Sequence, residues 1–217
     1  MTVSDSTVAI IGTGNIGGRL AANFAAGGQD FLLAGRHQEA ARKLAADLDG
    51  HAEAVSIEDA IDRADVLVPA VWLDDFKQFI TQYGEQLAGK VIVDPTNPIA
   101  PDGHGGVRKV IPEQESSGQI LAGLLPAGAR LVKAFGTLSA PTRSASARRE
   151  PERAVLFYAA DDAAAGDLVA DLIRTSGYEP VRVGGLDQSI RIEMLGDLHE
   201  YGGLGRTVTK TEALKAI

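Results

Sequence analysis

The stretch Gly12-Thr-Gly14-Asn-Ile-Gly17 spaces three glycines so that backbone can approach a diphosphate, and it follows directly on the apolar, β-branched run TVAII at residues 7–11. In such a turn Gly12 permits the tight bend, Gly14 leaves space for the ligand, and Gly17 lets the next helix lie close to a sheet. The diphosphate would rest on the free amides of that helix, where the helix dipole favours an anion. Three glycines alone are a weak signal. A buried-type strand before them and a helical pattern after them turn the signal into a predicted dinucleotide-binding turn.

Domains selective for NAD carry an acidic residue about 20 positions further on, at the end of the second strand, for the ribose hydroxyls. This chain reads Ala34-Gly35-Arg36-His37 there. With a guanidinium in place of a carboxylate, a 2′-phosphate meets a bidentate donor instead of a like charge. Arg42 or Lys43 offers a second cation. The expectation is NADP(H) in preference to NAD(H).

Ligands of open α/β sheets sit at the carboxyl ends of the strands. Those ends carry Ala70-Val71-Trp72-Leu73, Asn97-Pro98 and Ala134-Phe135-Gly136-Thr137. Trp72, the only tryptophan, fits two roles equally: bounding the cofactor or its substrate, or packing in the interior. His199 has the chemistry of a general acid near neutral pH, although a packing role is the stronger reading. His51 and His104 stand at no metal-ligand spacing, and HExxH, GxSxG and GxxxxGK[ST] do not occur in the chain. No metal site is expected, and hydrolase or nucleoside-triphosphatase chemistry lacks its motifs.

The elements that would position these residues follow from apolar periodicity. Strands are predicted at residues 7–11, 31–34, 65–71, 90–93, 130–135, 153–159 and 179–183, with helices at 15–26, 38–48, from 56, 73–83, 119–125, 162–176 and 188–201. The prolines and glycines of residues 94–117 predict a long functional loop, and residues 139–149 (SAPTRSASARR) read as a mobile surface connector. Such alternation implies right-handed crossovers. The fold class is α/β: a Rossmann-type, doubly wound, mostly parallel sheet with a small C-terminal α/β extension. Residues 1–137 are expected to be the NADP-binding domain and 138–217 a small portion packed on it as one compact unit.

Bulk properties narrow the partners. The 217 residues carry Asp+Glu 29 against Lys+Arg 21, a net charge of −8, which opposes non-specific attraction to nucleic acid or anionic lipid. With no cysteine, disulfides, thiolate nucleophiles and zinc ribbons are excluded. The N-terminus lacks a basic region and a long apolar run, so neither a signal peptide nor a membrane span is expected, and a cytoplasmic setting is. Ile190, Ile192, Met194, Leu195, Leu198 and Leu204 exceed the needs of one helix face, which predicts a homodimer with residues 189–206 at its interface or over the active site.

Taken in order, GTGNIG at Gly12, AGR at Ala34, DPTNP at Asp94, VKAFGT at Val132, LFYAADDA at Leu156 and the tail LGDLHEYGGLGR resemble the family of coenzyme F420-dependent NADP oxidoreductases over almost the whole chain. The resemblance implies a small-molecule redox partner, coenzyme F420 or a flavin, stacked against the nicotinamide of NADP(H) for direct hydride transfer. It implies diphosphate contacts from Thr13, Asn15 and Ile16 beside the glycines Gly12 and Gly14, and 2′-phosphate contacts from Gly35 and Arg36. Val71, Trp72, Asn97, Pro98, Ala134 and Phe135 would border the ribose and nicotinamide. Gly136 departs from the family's frequent asparagine. No catalytic side chain is assigned, because aligning two flat rings is the main requirement. Two other functions fit the same residues: an NADP-dependent reductase of a small carbonyl or imine, and a redox sensor that binds NADP(H) without turnover.

Overall fold

The computed structural model describes residues 6–104 and 106–217. Its first half runs β1 (Val8–Ile11), α1 (Asn15–Ala25), β2 (Phe31–Ala34), α2 (Gln38–Ala46), β3 (Ala52–Ala54), α3 (Ile57–Arg63), β4 (Val66–Pro69), α4 (Leu73–Tyr83) and β5 (Val91–Asp94). There follow β6 (Ile99–Pro101), β7 (Val107–Lys109), α5 (Ser117–Leu124), β8 (Arg130–Lys133), α6 (Ala140–Ser146), β9 (Val155–Ala160), α7 (Ala163–Thr175), β10 (Glu179–Gly184), α8 (Ser189–Ile192) and α9 (Lys210–Ala213). An eight-stranded sheet has the order β10-β9-β8-β5-β4-β1-β2-β3. Its ladders are parallel except β8 with β9. The fold is therefore the Rossmann-like α/β architecture.

Helices cover both faces, which is why β1, β2, β4 and β5 are short, apolar and buried at every position. Alternation divides each strand between two cores. Val8 and Ile10 face Leu20 and Phe24 of α1, and Ala9 and Ile11 face Ile61 of α3 and Phe76 of α4. β1 lies between β2 and β4, so the chain leaves it in one direction for β2 and later returns on its other side. Loops diverge at that reversal, and in sheets of this kind the crevice that binds ligands lies there, at the carboxyl ends of β1 and β4.

Three expectations need correction. Residues 94–117 are not a plain loop: β6 and β7 form an antiparallel hairpin of their own. Residues 139–149 are not a mobile connector. They contain α6, whose N-cap Ser139 accepts a hydrogen bond from the Thr142 amide, and Arg143 on it is 1% exposed. Basic composition misled because this one arginine is turned inward.

The helix expected at 188–201 stops after α8. Glu193 is extended, Leu195 takes a left-handed φ of 72°, and turns follow. Gly202 lies so close to this turn that a Cβ on it would come within 1.8 Å of the Gly196 carbonyl oxygen. The resulting strap packs inward, with Ile192, Leu198 and Val208 against Val155, Phe157 and Val181. Much of the apolar surplus that suggested a dimer is thus taken up within the chain.

Candidate functional site

The glycine turn sits at the mouth of the crevice. Gly12 has a φ of 122°, and a Cβ there would lie 2.5 Å from the Ala70 carbonyl oxygen. A Cβ on Gly17 would lie 1.9 Å from the Gly12 carbonyl oxygen. Both positions exclude a side chain because the β1 turn, α1 and the end of β4 are pressed together. Gly14 is the reverse case: a Cβ there would meet nothing within 4 Å. As the N-cap of α1 it supplies no side-chain hydrogen bond to the first amides of this eleven-residue helix. A free donor set at the positive end of a helix, beside a cradle that no side chain fills, suits a diphosphate. Thr13 and Ile16 are partly exposed and Asn15 is exposed, its Oδ1 accepting from Arg19 Nε at 3.0 Å.

Gly35 follows β2 closely against Thr13, with its Cβ position 3.4 Å from Thr13 Cγ2. Arg36 is exposed beside it, its guanidinium 3.6 Å from Asp75 in the first turn of α4. Arg42 and Lys43 are exposed on α2. Val71 packs against the Gly12 turn, Cγ1 lying 3.4 Å from the Gly12 Cβ position. Trp72 is not an interior residue. It is 59% exposed at the N-cap of α4, free to present its ring to a ligand.

The opposite wall is less open than expected. Pro98, Ala134 and Phe135 are buried, and the Phe135 ring stands edge-on to Phe24, centroids 5.9 Å apart, in the core under α1. Phe135 therefore offers backbone, and no ring, to the crevice. Its φ of 64° is unusual for an aromatic residue and ends β8 two residues early. The Phe135 carbonyl accepts from Arg143 Nη2, which also reaches the Leu138 carbonyl at 3.3 Å. Burial lowers the Arg143 pKa to about 10, so it remains a cation at neutral pH.

Next to Phe135, the Gly136 carbonyl accepts from two side chains, Asn97 Nδ2 at 3.0 Å and His199 Nε2 at 3.1 Å. Asn97 Oδ1 in turn accepts from the Met194 amide at 2.6 Å. Asn97 thus joins the β5 loop, the β8 loop and the C-terminal strap. His199 Nδ1 accepts from the Tyr201 amide at 3.0 Å, which fixes the tautomer: the proton is on Nε2, held by Gly136. Burial keeps this imidazole below the ordinary histidine range. Both nitrogens are engaged and the ring is 1% exposed, so His199 is placed to fasten the strap rather than to reach a substrate.

A charged cluster behind Asn97 escaped sequence reasoning. Lys133 Nζ, at the end of β8, donates to Asp94 Oδ2 at 2.7 Å, the Thr96 carbonyl at 2.6 Å and Ser117 Oγ at 2.7 Å, with Glu193 Oε1 3.3 Å away. Glu193 also accepts from the Ser117 and Gly118 amides at 3.1 and 3.0 Å. All three charged side chains are 2% exposed or less. Two carboxylates face one ammonium, and the N-terminal amides of α5 supply the remaining positive character. DPTNP and VKAF were visible as segments, but no local pattern links them to Glu193.

Comparison with known proteins covers most of the chain, and one family model covers its first half. The family model for NADP oxidoreductase, coenzyme F420-dependent, matches residues 7–98. An F420-dependent NADP reductase of Methanothermobacter thermautotrophicus is 29% identical over 202 residues, 88% of this chain and 86% of that protein. Metalloreductase STEAP3 of Rattus norvegicus is 27% identical over 188 residues, and the chain, 87% of which is aligned, spans 36% of that relative's length. A hypothetical protein of Sinorhizobium meliloti has a similar structure, with a TM-score of 0.81 at 30% identity, covering 97% of this chain and 96% of that one.

Proposed function

We propose that this chain, whose residues 7–98 match the coenzyme F420-dependent NADP oxidoreductase model and which is 29% identical to an F420-dependent NADP reductase, transfers hydride between NADP(H) and coenzyme F420 or a flavin-like acceptor. One observation supports dinucleotide binding independently of the family: the α1 amides receive no side-chain cap and start beside Gly14, where no side chain crowds the backbone, at the β1–β4 reversal where a diphosphate would be held. When bound, NADPH supplies the hydride from its nicotinamide ring.

The residues divide the remaining work. Gly12, Thr13, Gly14, Asn15 and Ile16 hold the diphosphate, and Gly35 and Arg36 hold the 2′-phosphate. Val71 and Trp72 border one side of the ribose and nicotinamide, with Asn97 and the backbone of Pro98, Ala134 and Phe135 on the other. The interlock of Asn97, Gly136 and His199 keeps that wall in place, so alignment of the two rings, rather than proton delivery, is the protein's main contribution to rate.

The activity is tested by mixing the purified chain with NADPH and, in turn, F420, FMN, and small carbonyl and imine compounds. NADPH consumption coupled to F420 or flavin reduction is the expected result. Binding without turnover on F420 or flavin would overturn the reading. Arg36→Ala should weaken NADPH by about 1.5–3 kcal/mol, the range for a charge-assisted hydrogen bond, while leaving NADH nearly unchanged. Equal losses in binding titrations would refute the assignment of the 2′-phosphate to Arg36.

A further inference from the structure

We infer that Asp75 sets how strongly this site discriminates between dinucleotides with and without a 2′-phosphate, by competing for the Arg36 guanidinium. The inference rests on the NADP-binding reading above.

Arg36 follows β2 and Asp75 lies in the first turn of α4, which follows β4. Because β1 lies between β2 and β4, the two side chains meet above the end of β1, over the glycine turn. Arg36 Nη1 stands 3.6 Å from Asp75 Oδ1, with the arginine side chain 78% and the aspartate 33% exposed. Helix-dipole stabilisation explains an acid in the first turn of α4, and Asp74 supplies it as well, paired at 3.3 Å with Lys77 on the same helix. It does not explain why the less exposed acid is aimed across the crevice at the one cation that ends β2.

The consequence is electrostatic. A 2′-phosphate arriving at Arg36 must share the guanidinium with a carboxylate, and it gains a like charge as a neighbour. A free 2′-hydroxyl meets no such repulsion and can donate a hydrogen bond to the same carboxylate. The acid that NAD-selective domains carry at the end of the second strand is therefore absent from that position but supplied in space from α4, 39 residues after Arg36. Asp75 narrows the preference that Arg36 creates.

Trp72, the only tryptophan, lies three residues before Asp75 and gives a binding signal independent of turnover. NADPH and NADH dissociation constants are measured by its emission, with calorimetry as a second readout, for the wild type, Asp75→Asn, Asp75→Glu, Arg36→Ala and the Arg36→Ala/Asp75→Asn double variant. Asp75→Asn should raise the NADPH-to-NADH affinity ratio about three- to fivefold, the scale of an exposed ion pair. The gain should shrink at high salt and vanish in the Arg36→Ala background, and Asp75→Glu should keep the wild-type ratio. An unchanged or lowered ratio in Asp75→Asn, with Arg36→Ala still selective against NADPH, would overturn the role of Asp75 alone. A lowered ratio would mean that the carboxylate preorganises Arg36. If Arg36→Ala leaves the ratio unchanged, or neither nucleotide binds, the NADP reading and this inference fall together.

Discussion

One side of the crevice is made of backbone from six consecutive residues, 12–17, and needs side chains to be absent at Gly12 and Gly17. The other side is held from behind by side chains of four segments: Asp94 at the end of β5 with Asn97 just after it, Ser117 on α5, Lys133 on β8, and Glu193 and His199 in the strap. Their contacts span up to 97 residues of sequence. The first wall is a shape enforced by sterics, and the second is closed by hydrogen bonds between groups that are costly to leave unpaired in the interior. The two should therefore fail differently. Damage to the glycine turn should be felt first in binding, and damage to the buried cluster first in stability.

The largest effect tests the second wall. Lys133→Ala leaves Asp94 and Glu193, both fully buried, facing each other without their shared cation. Removing one partner of a buried ion pair costs about 3–5 kcal/mol, and denaturant unfolding should show a loss of that size. A loss below about 1 kcal/mol would mean that water reaches the cluster, and the contrast between the two walls would collapse.

Next comes Gly17→Ala. The added methyl would lie 1.9 Å from the Gly12 carbonyl oxygen, a backbone atom that can yield only if the turn moves. Overpacking of this kind costs about 1–3 kcal/mol. Because the displaced turn is the diphosphate cradle, NADPH affinity should fall by more than the free energy of unfolding does, as titration and denaturation on the same preparation would reveal. An equal or larger loss of stability, with binding spared, would make Gly17 a packing residue only.

The contrast also accounts for what could be read from sequence. β1, the glycine turn and Arg36 are legible because a buried parallel strand, a turn that bars side chains and a missing carboxylate all leave marks within residues 8–36. The family model's match, residues 7–98, includes that stretch. The strap reads as a helix because apolar Ile192, Leu195 and Leu198 recur every three residues, whereas the chain bends where Glu193 reaches Ser117, 76 residues away. Arg143 was misread for a related reason. Its partners are carbonyls of the β8 loop, and a carbonyl leaves no trace in a sequence. Phe135 borders the ribose and nicotinamide only by implication of the resemblance, and its left-handed φ, with the ring packed on Phe24, is a feature that no motif encodes.

The smallest expected effect concerns His199, and it separates a structural role from a catalytic one. Its Nε2 proton is given to Gly136 and its Nδ1 accepts from Tyr201, so a second proton on Nδ1 would confront an N–H with an N–H. Burial and this geometry both favour the neutral ring in the folded state, which lowers its pKa. The unfolded chain therefore binds the more protons as the pH falls through the ordinary histidine value of about 6.5. The stability this ring contributes is complete above that pH and is lost below it, with a slope of at most about 1.4 kcal/mol per pH unit. Unfolding free energies of wild type and His199→Gln should then converge toward acid pH. In single turnovers with C4-deuterated NADPH, His199→Gln should change the hydride step by less than about tenfold and keep the isotope effect, because general acid catalysis, usually worth about 10² to 10⁴ in rate, is not what this ring is placed to give. A drop beyond about a hundredfold, restored by added imidazole, would move His199 from the wall of the site into its chemistry.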